Sequence, residues 1–207
     1  MSLRCLLRRV VTFLGPVGVG KSTIVNNLVL FLRSHNYKVV VVFVKAMHGP
    51  IYVFWILLAR LLGLPRRFAP WFWFIKMGYR PARTLIILST YFDAFFLLPL
   101  KVLYVRLLRA LGYTVFTEEY LHTGLFDHLF EYLVLGIRDS VAKFPLYVMF
   151  KFMFRYPPDM IVILDGDLRD LVSRWLSRGY GDPQPVYVLL QRWFLLRYVK
   201  LLSPNVR

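Results

Sequence analysis

Lys21 and Ser22 close a turn reading Gly15-Pro16-Val17-Gly18-Val19-Gly20, which gives the spacing Gly-x-x-x-x-Gly-Lys-Ser. Glycines at both ends of such a turn let the intervening backbone N–H groups point inward. A lysine ammonium and a serine hydroxyl beside them complete a cradle for polyphosphate. Lys21 supplies a mobile cation and Ser22 can ligate Mg²⁺, so Gly15 to Thr23 is expected to bind the β- and γ-phosphates of a nucleoside triphosphate. A glycine-rich turn can be no more than a turn, but a turn does not require Lys-Ser after its last glycine. The flanks fit as well. The apolar run Val10–Leu14 precedes the turn, and Ile24, Val25, Leu28, Phe31 and Leu32 follow at helical spacing, so strand, loop and helix come in the order such a cradle needs. The helix then aims its positive end at the phosphates.

Acids and cations farther along can complete phosphoryl-transfer chemistry. Glu118 and Glu119 end the apolar run 113–117, and Asp165 ends 160–164. The carboxyl ends of parallel strands are where ligands bind in α/β folds. Glu118 and Asp165 are therefore expected near Mg²⁺, while Glu119 can equally mark where a strand meets solvent. Arg174 and Arg178 lie one helical turn apart, just before a glycine- and proline-rich loop. Arg178 is expected to close over the triphosphate with that loop, a short lid at about 179–185. Arg174 can join it in binding the nucleotide or pair with Asp170 at the i, i+4 spacing. Asp93 sits in an apolar helix, where a carboxylate needs a partner; it is either a structural hydrogen-bonding group or an acceptor ligand. Arg80 belongs to an aromatic and basic stretch with Trp71, Trp73 and Tyr79. Such a stretch can stack a base and grip a phosphate, or pack its rings inward beneath snorkelling cations. His35, His48, His122 and His128 show no metal-ligand spacing.

Val39–Val44 reads as a strand buried on both faces, completing a βαβ unit with the first strand and helix. Further helices are expected over 51–64, over 84–111 with a bend at Pro99, from 123 to about 156, after an Asp167 N-cap, and over 186–202. The fold expected is α/β: three layers of the P-loop type, a parallel sheet of four to five strands with helices on both faces, all in one domain spanning 1–207. The chain has 207 residues, of which 58% are hydrophobic, with mean hydropathy +0.55 and formal net charge +16 from 27 Lys+Arg against 11 Asp+Glu. That balance favours polyanions: nucleotides, nucleic acid or an anionic membrane. The single cysteine, Cys5, excludes an intramolecular disulfide and a multi-cysteine zinc site, and suits a reducing cytoplasm. The basic start runs directly into the first strand, so it is not read as a cleaved leader. Residues 46–59 are too short to span a bilayer and 84–100 carry Asp93 mid-run, which leaves peripheral membrane contact open.

Absent patterns narrow the class. Neither Asn-Lys-x-Asp nor Asp-x-x-Gly, expected of guanine-specific proteins, occurs, and no Leu-Ser-Gly-Gly-Gln transporter signature is present. A small-molecule kinase remains. The order of motifs resembles the thymidylate kinase family: the Gly15 to Thr23 loop, the helix bearing Thr90-Tyr91-Phe92-Asp93-Ala94, the strand end Glu118-Glu119-Tyr120, the run Pro158-Asp159 to Asp167, and Arg174-x-x-x-Arg178-Gly179. The resemblance implies ATP- and Mg²⁺-dependent phosphorylation of a nucleoside monophosphate, thymidylate first. It places Glu118 as metal ligand or general base, and makes Arg178 the lid arginine. It also assigns Asp93 to the acceptor pocket, where Tyr91, Tyr120 and Arg80 are further residues expected to bind the substrate. The family's arginines are replaced by Glu119 and Ala94, and its Arg-Glu-Pro-Gly-Gly segment by Lys45-Ala46-Met47-His48-Gly49-Pro50, all at positions that handle the acceptor. The alternatives are an ATP-binding protein without kinase activity, attached to membrane or partner, and a kinase for another, lipid-linked acceptor. Nucleotides are the expected ligands and a homodimer the expected assembly, with no specific nucleic-acid binding.

Overall fold

The computed structural model describes residues 7–47, 50–64, 70–177 and 185–202. The strands β1 (Val10–Leu14), β2 (Val39–Val42), β3 (Thr114–Glu118) and β4 (Met160–Ile163) form one parallel sheet in the order β2-β3-β1-β4. Every residue of β1 and β3 is buried, while the outer strands β2 and β4 are partly open. The unbroken apolar runs thus take the places covered on both faces. Register is continuous from Thr12 to Thr117 and Ile161, and the Thr12 and Thr117 hydroxyls bond each other at 2.7 Å.

Alternation along β1 assigns its two faces. Val11 and Phe13 pack with Phe116 against Val25, Val29 and Leu32 of helix α1 (Lys21–Ser34). Val10 and Leu14 face the larger core built with α2 (Pro50–Leu61), α3 (Pro70–Lys76), α4 (Ala82–Phe92), α5 (Leu98–Ala110), α6 (Leu121–Val134) and α7 (Ser140–Arg155). The result is the expected three-layer α/β arrangement, with four strands among the described residues. Two more helices, α8 (Leu168–Ser177) and α9 (Pro185–Leu202), close over the phosphate loop, where Leu171, Trp175 and Val188 pack on Val17 and Val19. Asp167 caps α8 as expected, its Oδ1 accepting from Arg169 N at 2.8 Å.

Three expected boundaries need correction. Strand β2 stops at Val42, since its ladder to β3 ends at Thr117, although Val44 is still buried. The stretch 123–156 is two helices, separated where Gly136 takes φ 62° and Ile137 N–H returns to Tyr132 O. The helical run 82–110 is not bent at Pro99 alone. It widens into a π turn over Asp93–Leu97, where Leu98 N–H reaches back to Asp93 O. Pro99 has no N–H for the ladder, and the wide turn just before it accommodates its ring. By length and composition this run, Ala82–Ala110, is long and apolar enough to cross a bilayer, yet 44% of its most apolar window is buried inside the fold.

Gly15 is set by close approach. A Cβ there would lie 2.5 Å from Leu164 O, whose own N–H is held by Leu14 O at 2.8 Å. Gly15→Ala should therefore cost about 1–3 kcal/mol of stability, as overpacking against backbone does, measured by urea denaturation. An unchanged midpoint would mean that the β1–β4 approach is looser than described.

Candidate active site

Strand β1 sends its chain to β2 on one side, and β3 sends its chain past β1 to β4 on the other. The crevice at their carboxyl ends is the switch point where α/β sheets bind ligands. Three functional stretches converge there: the phosphate loop after β1, Glu118 and Glu119 at the end of β3, and Lys45 to Met47 after β2.

The loop has the backbone its glycines predict. Gly18 and Gly20 adopt φ 90° and 96°, and Gly20 enters α1 from the left-handed region without a side-chain cap. The first N–H groups of α1 are therefore not claimed by a capping side chain at Gly20. Lys21 is buried, its Nζ donating to Gly15 O at 2.7 Å and Pro16 O at 3.2 Å. Ser22 Oγ donates to Glu118 Oε2 at 2.5 Å, so the hydroxyl and carboxylate expected to share a metal already meet. Two hard oxygens suit Mg²⁺, which usually takes one or two protein ligands and completes its shell with water and phosphate. No cluster of three or more His, Cys, Asp or Glu that could hold a metal occurs among the described residues.

The other expected site residues fall into different surroundings. Arg174 Nη1 donates to Gly18 O at 3.2 Å, so it supports the loop from outside. Arg178 and residues 179–184 of the expected lid lie outside the described residues. Asp165 is held instead by a two-pronged ion pair with Arg192, at 2.6 and 2.8 Å, which lowers its pKa; it braces α9 rather than standing free for a metal. Asp165→Asn is accordingly expected to cost at most about 1 kcal/mol, the usual worth of an exposed pair, and to leave affinity for an ATP analogue unchanged in calorimetric titration. A large loss of Mg²⁺-dependent affinity would restore it to the metal.

Tyr120 is fully buried, its hydroxyl donating to Tyr156 O at 3.0 Å, and burial pushes its pKa up to about 12. Tyr91 donates to Val141 O at 2.8 Å, tying α4 to α7, and Arg80 is exposed in the turn before α4. Asp93 is fully buried at the start of the π turn. Its Oδ2 accepts from Met47 N at 2.6 Å and meets His128 Nε2 at 2.9 Å. Of the two readings open for Asp93, these contacts describe the structural one: it holds the loop after β2 from beneath.

Two groupings were not legible beforehand. His128 sits between Asp93 and Glu131, with Nδ1 at 3.2 Å from Glu131 Oε2 and 3.1 Å from Thr90 Oγ1. Burial lowers its pKa, but the two carboxylates outweigh that and raise it to about 10. The i, i+3 spacing of His128 and Glu131 was the available signal; the Asp93 contact was not. The second grouping is Lys45 with Glu119, Nζ to Oε1 at 3.5 Å. Glu119 takes φ 69°, uncommon for a side chain of its kind, and its Oε2 is buried without a hydrogen-bond partner. Strain and an unsatisfied carboxylate oxygen set Glu119 apart from the other acids at the strand ends.

No protein-family model matches this sequence, and no curated protein matches it. Among solved structures the chain is similar to deoxyadenosine kinase from M. mycoides in two ligand states. With the products dCMP and a flexible dCDP bound, that structure gives a TM-score of 0.52 at 12% identity over 93% of this chain and 84% of the other. With dATP bound it gives 0.54 at 12% identity over 96% and 89%. The parallel four-stranded sheet with helices on both faces is thus the α/β fold shared with these two kinase structures.

Proposed function

We propose that this protein is an ATP- and Mg²⁺-dependent phosphotransferase acting on a nucleoside-type acceptor. The observation that carries the reading is the meeting of Ser22 Oγ with Glu118 Oε2 beside the buried Lys21, at the open end of β1 and β3. In this reading the loop amides and Lys21 bind the β- and γ-phosphates, and Ser22 and Glu118 hold Mg²⁺, which neutralises phosphate charge. Arg178 stabilises the transferring phosphoryl group. Glu119, at the end of β3, and Lys45, on the loop that Asp93 and His128 fix from below, face the acceptor.

The motif order supports thymidine monophosphate as the first acceptor to test. A specific observation favours a second reading, transfer to the hydroxyl of an uncharged nucleoside. Glu119 puts a carboxylate where the thymidylate kinase pattern has an arginine, and a carboxylate repels an incoming phosphate but can accept a hydroxyl proton. The deoxyadenosine kinase likeness points the same way. Incubation with ATP, Mg²⁺ and each common nucleoside and nucleoside monophosphate, read by mass of the product, decides between them. Transfer to a monophosphate supports the first reading and transfer to a nucleoside supports the second. No transfer across the panel by protein that binds an ATP analogue overturns both.

Exposed apolar side chains on α5 and α7, among them Leu103, Leu107, Phe144 and Tyr147, support a homodimer as the assembly, which native mass tests.

A further inference from the structure

We propose that Gln191, oriented by Tyr187 and Asp127, is a positioning residue that fixes the phosphate loop from its outer side. The inference rests on the proposed nucleotide site for its purpose but not for its geometry. Gln191 is 1% exposed on α9, and its Oε1 accepts from the backbone N–H of Val17 at 3.2 Å. Its Nε2 donates to the Tyr187 hydroxyl at 3.2 Å, and that hydroxyl donates to Asp127 Oδ1 of α6 at 2.7 Å.

The direction of this chain is set link by link. The Val17 backbone N–H can only donate, so Gln191 meets it with Oε1 and turns Nε2 to the Tyr187 oxygen, whose own proton goes to Asp127 Oδ1. An amide that donates there must turn its carbonyl toward Val17; the flipped amide would set two donors against each other. Packing removes the remaining freedom, since the Tyr187 ring lies against Phe126, Phe130 and Trp175 with centroids 5.5, 5.0 and 6.3 Å away.

The same side of the loop is held at three other points. Arg174 donates to Gly18 O, Val17 and Val19 pack on Leu171, Trp175 and Val188, and a Cβ at Gly18 would lie 3.2 Å from Leu171 O. The loop is thus gripped on its outer side by α8 and α9, leaving its inner side for phosphate. Ordering the loop in advance lowers the entropy lost when phosphate binds. Asp127 also adjoins His128, which fixes the loop after β2 through Asp93, so α6 anchors both sides of the site.

The test is calorimetric titration of the full chain with a non-hydrolysable ATP analogue and Mg²⁺, together with hydrogen exchange at the Val17 amide in nucleotide-free protein. Gln191→Met keeps the volume and removes the bond; Tyr187→Phe removes only the hydroxyl. Gln191→Met should weaken the analogue about 3- to 10-fold, the worth of one hydrogen bond, and speed Val17 exchange by a similar factor. Tyr187→Phe should do less, and the double variant no more than Gln191→Met alone, because one chain is being cut. Leu189→Ala, on an exposed part of the same helix, should change neither reading. Unchanged affinity and unchanged Val17 exchange in Gln191→Met overturn the assignment, and if that variant does not fold, the same two readings on Tyr187→Phe decide it. Should the wild-type chain bind no analogue, the nucleotide site fails, and Val17 exchange alone decides whether Gln191 positions the loop.

Discussion

Lys21→Ala is expected to weaken binding of an ATP analogue about 10- to 100-fold, since a charge-assisted hydrogen bond to phosphate contributes roughly 1.5–3 kcal/mol. Phosphoryl transfer should fall further, by about 100-fold or more, because the ammonium opposes charge that develops in the transition state. Stability should change little. Lys21 Nζ bonds Gly15 O and Pro16 O, and losing those bonds costs about 1–2 kcal/mol at most, since both carbonyls can be rehydrated at the loop. Calorimetric titration and thermal melting of the same preparation separate the two effects. A variant that binds the analogue as tightly as the parent would remove the phosphate loop from the proposed mechanism, whatever its motif says.

His128→Leu is expected to cost about 3–5 kcal/mol of folding free energy, because it leaves the carboxylates of Asp93 and Glu131 buried without their shared cation. Removing one member of a buried charged group is far costlier than the group's net worth, and all three members of this one are buried. The parent's pH dependence follows from the same contacts. An unfolded histidine titrates near 6.5, and His128 in the fold near 10. Its folded value is the higher one, so the stabilisation is complete below about pH 6.5 and is lost as the pH rises toward about 10. Denaturant midpoints of parent and variant across that range should converge at the alkaline end. Parallel curves would show that His128 is neutral in the fold. The loop after β2 should loosen as well, since Asp93 loses the partner that orients it toward Met47 N–H.

These two residues differ in how far the sequence revealed them. Lys21 belongs to a local device: strand, loop and helix are contiguous, and the conformational demands on Gly18 and Gly20 come from the nearby chain. The same locality made β1, β3 and β4 readable as unbroken apolar runs, and Asp167 as a helix cap. The sequence by itself therefore determined the phosphate loop, the parallel α/β class and the presence of acids at the strand ends.

Tertiary structure decided what each of those acids touches, because their partners come from distant chain. Asp165 was indistinguishable from a metal ligand until Arg192, about two turns into α9, paired with it. Asp93 was either structural or an acceptor ligand until α6 brought His128 beneath it. Tyr120 and Tyr91 were expected to bind the substrate, while their hydroxyls are spent on Tyr156 O and Val141 O. Gln191 carried no signal at all, for an amide in a helix is ordinary until the backbone N–H it accepts from is known. Neighbours also shift titration: a histidine read as an ordinary residue has its pKa raised here by two buried carboxylates, against the effect of its own burial. Spacing along a chain fixes contacts within a turn or two, and the long-range pairings that give these groups their roles exist only once the sheet has brought β1, β2 and β3 together.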